Sequence, residues 1–94
     1  MKVEHEGLKL EYELKDDLRQ RDIEAFFKAR REMRGDESLS GPEHNGVVIR
    51  AAIKSGWLAD VKDDDVGDMH PAAVTWLAGE IQTAVAAAFE VPGE

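Results

Sequence analysis

The chain has no cysteine, so a disulfide framework, a zinc–thiolate site and a thiol nucleophile are all excluded, and folding does not depend on the redox compartment. Its first residues, Met1-Lys2-Val3-Glu4-His5-Glu6, lack the apolar run of a secretory leader, and a cytoplasmic protein is expected. The longest apolar stretch, residues 71–91, carries Glu80 and Gln82 at its centre and does not read as a membrane span. G-x-x-x-x-G-K-[ST], G-x-G-x-x-G and H-E-x-x-H are all missing, and with them the geometry for cradling phosphates, binding dinucleotides or zincin chemistry. His5, His44 and His70 fall in three different elements, short of the three or four convergent donors that zinc needs. With Gly67 at position six of a calcium loop, Lys62 takes position one, where an acid is required. Asp63, Asp64, Asp65 and Asp68 therefore read as a solvated loop. Ser38 and Ser40 have no oriented base. No enzyme activity, cofactor or metal is expected.

Positive charge is also scarce. Twelve basic against twenty acidic residues give a net charge of −8. Residues 1–34 hold nine of each sign, whereas residues 35–94 hold three basic and eleven acidic, a balance that repels a phosphate backbone. The one basic cluster, Lys28, Arg30, Arg31 and Arg34, closes a helix whose dipole favours cations there. No nucleic-acid partner is expected.

What is present is a soluble globular composition, 43% apolar and 34% charged, in 94 residues. That length allows one domain, residues 1–94. Such a chain removes only roughly 60–65% of its unfolded surface on folding, so a protein partner or a second copy of itself adds useful burial. Residues 3–14 alternate apolar and charged around a break at Glu6-Gly7, which predicts a β-hairpin within residues 1–15 and a second strand from Leu8 to Leu14. Asp17 caps helix one, residues 17–34, with Leu18, Ile23, Phe26, Phe27 and Met33 at helical spacing and Gly35 as its stop. Ser40-Gly41-Pro42-Glu43 opens helix two, residues 41–55, whose Val48, Ile49, Ala52 and Ile53 make it the central helix. Gly46 is its weak point, and Gly56 with Trp57 reads as a Schellman cap. Asp68 or His70 caps helix three, residues 69–90, with Pro71 in the first turn and Pro92-Gly93 past the end. The expected fold is α+β, an N-terminal hairpin followed by three helices packed around the second.

At about 100° per residue, Leu77, Ala88, Ile81, Val74, Val85, Ala78 and Phe89 form one core stripe on helix three. Trp76 lies opposite, among Ala72, Gly79, Glu80, Thr83 and Ala87. Two readings of this second side stay open. Ala72, Trp76, Gly79, Thr83 and Ala87 form a partner-binding face with the indole as anchor, or the helix is sandwiched, its second side covered by the hairpin or helix one.

The order Leu18…Asp22-Ile23-Glu24-Ala25-Phe26, Val48 through Leu58, Val66-Gly67-Asp68-Met69-His70-Pro71…Val74-Thr75-Trp76-Leu77-Ala78…Ile81 and Val91-Pro92-Gly93-Glu94 resembles small tail-assembly proteins of long-tailed bacteriophages and prophages. The resemblance covers about residues 18–94 and implies a tail assembly chaperone. Such a protein binds the helical tape-measure protein, or another tail protein, in the bacterial host cell before the tube polymerises. It brings no catalytic residues. The alternatives are a different minor prophage structural protein, an acidic inhibitor that mimics DNA, and a small DNA-binding regulator using helix one.

Overall fold

The computed structural model describes residues 2–34 and 41–90, the Arg34 side chain excepted. Strands β1 (Lys2–His5) and β2 (Leu10–Glu13) pair antiparallel, Val3 opposite Tyr12 and His5 opposite Leu10. The second strand begins two residues later than the alternation suggests, because residues 6–9 are spent on the turn. There the Lys9 N–H donates to the Glu6 carbonyl (3.1 Å), the Leu8 N–H donates to His5 Nδ1 (3.1 Å), and Lys9 adopts a left-handed φ of 55°. Past β2 the chain stays paired. Leu14 bridges Leu58, and the Lys15 N–H donates to the Trp57 carbonyl at 2.9 Å.

Helix α1 (Gln20–Arg34) starts three residues after the expected point. Its cap is not Asp17, which sits exposed at φ 52° and pairs with Arg19 at 2.8 Å. The cap is instead the reciprocal half of a capping box: Asp22 reaches back to accept the Arg19 N–H at 2.9 Å. Asp22 is buried and also takes the Lys15 ammonium at 2.7 Å. The Lys15 hydrogen bond, then the Arg19 N–H, hold its carboxyl below the ordinary carboxylate range.

Helix α2 (Gly41–Lys54) packs against α1 and both later helices, as its mostly apolar circumference requires. Val48, Ile49, Ala51 and Ala52 have no exposure. The helix ends in a Schellman motif: Gly56 takes φ 85°, its N–H donates to Ile53, and the Trp57 N–H donates to Ala52 (2.8 Å). The Trp57 ring then stacks on Phe26 of α1, centroids 4.6 Å apart and planes within 19°. Cap and core are thereby one feature. The Ser40 cap, the Gly35 stop and Pro92-Gly93 lie outside the described residues.

The acidic run is not a loop. Residues 63–68 form a short helix, α3 (Asp63–Asp68), with Val66 buried as its anchor. Three aspartates in the first turn suit the positive end of the helix dipole, and the Asp65 carboxylate accepts the Lys62 N–H at 3.0 Å. Between α3 and the last helix lie only Met69 and His70. Helix α4 (Pro71–Ala88) is capped by His70, whose Nδ1 accepts the Ala72 N–H at 3.1 Å, with Pro71 in the first turn. Among the described residues the fold is thus α+β, a hairpin and four helices, with α2 at the centre.

Candidate protein-binding face

The face to be tested is the side of α4 turned from the core. Ala73, Leu77, Ala78 and Ile81 are buried, Val74, Glu80, Ala84 and Val85 half-buried. The buried arc therefore reaches further round towards Trp76 than the stripe read from the sequence. At the other end, Ala88 and Phe89, both expected in the core, are exposed, Phe89 by 67%. Packing against the body ends near Val85, and the final turn overhangs it.

Trp76 is half-buried, because the hairpin lies over it. His5 meets the indole edge-on, centroids 5.4 Å apart at 83°, and Tyr12 lies 6.1 Å away. The indole therefore helps to seat the hairpin, and only part of it faces solvent. Ala72, Gly79, Thr83 and Ala87 are all exposed. Ala87 also lines an open groove of about 360 Å³ with Leu18, Ala84, Ala88, Lys15 and Arg19. Of the five expected residues, four share the exposed side of one helix, and Trp76 borders it.

Sequence reading missed that Thr75, Gln82, Ala86 and Phe89 belong to the same exposed surface. The signal was available as an absence of charge. Among nine exposed residues of α4 none is ionisable, and Glu80, the helix's one ionisable group, is half-buried. The two threonines do not offer free donors either. Thr75 Oγ1 donates to the Pro71 carbonyl (3.1 Å) and Thr83 Oγ1 to Gly79 (2.9 Å), so each hydroxyl is satisfied within the helix.

Gly79 has no internal reason to be glycine. A Cβ built there meets nothing within 4 Å, while glycine inside a helix costs about 1 kcal/mol relative to alanine. Gly46 in α2 differs: its Cβ would sit 3.3 Å from the Arg50 guanidinium. A missing side chain that the fold does not need leaves room for something outside it. No protein-family model matches the chain, and no curated protein or solved structure is significantly similar to it. Among the described residues, no three histidine, aspartate or glutamate side chains converge as metal ligands, and no helix is long and apolar enough to cross a membrane.

Proposed function

We propose that this chain is a non-enzymatic protein-binding domain, a phage or prophage tail assembly chaperone that holds an apolar helix of the tape-measure protein, or of another tail protein, against the outer side of α4. The observation that carries this is the uncharged exposed surface of α4 in a chain where 34% of residues are charged. A partner helix laid along it meets small side chains at Ala72, Gly79, Thr83 and Ala86, over which two backbones approach closely, and Trp76 and Phe89 flank the contact. A tape-measure chain exposes apolar helical faces before assembly, and a detachable cover must bind them without great affinity. A surface of small residues with few large anchors suits that. In the second half of the chain, by contrast, Asp63, Asp64, Asp65 and Asp68 crowd onto one six-residue helix, short of the extended stripe that a DNA mimic needs.

Titrating the full chain with helical fragments of a tape-measure protein from the same genome tests the reading. A complex at a concentration on the order of 50 μM, lost in Gly79→Arg, is the expected result. Absence of binding at that concentration sinks it.

A further inference from the structure

Between α2, α3 and the first turn of α4 lies a cleft of about 240 Å³, walled by Pro42, Val66, Met69, Pro71 and Val74 with Arg50 at its margin. The guanidinium lies close over Gly46, where a Cβ would stand 3.3 Å from Nη1, and within ordinary contact of Gly67, where a Cβ would stand 4.0 Å from Nη2. Among the described residues the one ionic contact of Arg50 is to Asp63, Nε to Oδ2 at 3.9 Å, beyond hydrogen-bonding distance. Its side chain is 37% exposed. An apolar cleft bordered by a guanidinium with unused donors suits an apolar group that carries a carboxylate beside it.

The same molecule displays such a pair elsewhere. Phe89, 67% exposed, is followed by the exposed Glu90 at the end of α4. A dry cavity of about 150 Å³ already accepts benzene, so the cleft admits a phenyl ring, and Met69 can adjust to its shape. A molecule cannot fill its own cleft, because the cleft lies at the first turn of α4 and Phe89 just past the last, about 27 Å apart along an 18-residue helix. We infer that the chain associates with a second copy of itself head to tail, the Phe89–Glu90 end of α4 in one copy entering the Arg50 cleft of the next. Glu90 then takes the guanidinium donors that Asp63 leaves unused. Knob and cleft occupy different patches, so the contact is heterologous and leaves each assembly with one free end of each kind unless it closes into a ring.

Sedimentation velocity of the full chain up to about 1 mM tests this. The expected result is an average mass that climbs with concentration, and association at least tenfold weaker in Phe89→Ala and in Arg50→Gln, each with an unchanged melting curve. Each variant keeps one intact half of the contact. An equimolar mixture of the two therefore forms a one-to-one dimer and goes no further. The doubly swapped chain, Arg50→Glu with Glu90→Arg, associates again. Gly79→Arg leaves the association intact, so its failure is separate from failure of tail-protein binding. A wild-type chain that stays monomeric throughout, association that survives either single variant, or a mixture that forms no dimer overturns the inference.

Discussion

Helices α1 and α4 are alike on the inside and opposite on the outside. Both bury large apolar side chains against α2, Phe26 from one and Leu77 and Ile81 from the other. Of the seven exposed side chains among the described residues of α1, five are charged: Arg21, Glu24, Lys28, Arg31 and Glu32. None of the exposed residues of α4 is. The charged side of α1 is also partly engaged, with Lys54 of α2 on Glu32 at 3.1 Å. Charge on α1 solubilises the helix and ties it to its neighbour. The lack of charge on α4 serves neither purpose, and it is the feature on which the proposed partner surface rests.

If the two helices differ only on their outer sides, truncating their inner sides must hurt equally. Phe26→Ala should cost about 3–5 kcal/mol and Leu77→Ala about 2–5 kcal/mol in urea unfolding, a large share of the about 5–15 kcal/mol by which a domain is stable. A Leu77→Ala chain as stable as wild type breaks the symmetry. Charge introduced outside should separate the helices: Gly79→Arg is expected to weaken tail-protein binding more than tenfold with little change in melting, while Lys28→Glu on α1 leaves binding alone. Equal loss in both removes the distinction.

Alanine at position 79 sharpens it further. Gly79→Ala is expected to stabilise the chain by about 1 kcal/mol, and Ala25→Gly on the outer side of α1 to destabilise it by a similar amount. A neutral Gly79→Ala would show that the fold itself needs the glycine. The smallest effect concerns charge alone. The exposed Lys54–Glu32 pair should contribute about 0.2–1 kcal/mol, falling with added salt, in a double-mutant cycle.

Acid tests the start of α1. Because the Asp22 carboxyl titrates below its unfolded value, its contribution is complete above about pH 4 and fades as pH drops through the lower folded value. Asp22→Asn should therefore melt below wild type at pH 7, with the gap closing on acidification. A gap that widens instead would contradict the assignment of Asp22 as cap.

Much of this architecture was legible because local chemistry decided it. The alternation of Val3, His5, Leu10 and Tyr12, the Pro71 start with its cap narrowed to Asp68 or His70, and the Gly56-Trp57 stop each name their own structure. Three features were illegible for physical reasons. Asp17 and Asp22 both satisfy capping preferences, and only Lys15, brought close by the end of β2, selects Asp22. The Asp63–Asp68 helix rests on a single buried Val66, too little for a periodic signal. A wheel drawn for α4 assumes a straight core along its whole length, whereas the body stops short of Ala88 and Phe89. Of the candidate face, the small exposed residues were visible in the sequence. The roof that His5 and Tyr12 place over Trp76 was not, since it depends on where a distant hairpin lands.

That hairpin's attachment has a mechanical consequence. Leu14 and Lys15 are laced to Trp57 and Leu58, directly behind the stop signal of the central helix. Tension applied to the beginning of the chain is thus delivered to two places, to the last helix through His5 and Tyr12 on Trp76, and to the middle of the chain through Leu14 and Lys15 at Leu58 and Trp57. Anything that grips the free surface of α4 would find its platform clamped from the opposite end of the polypeptide.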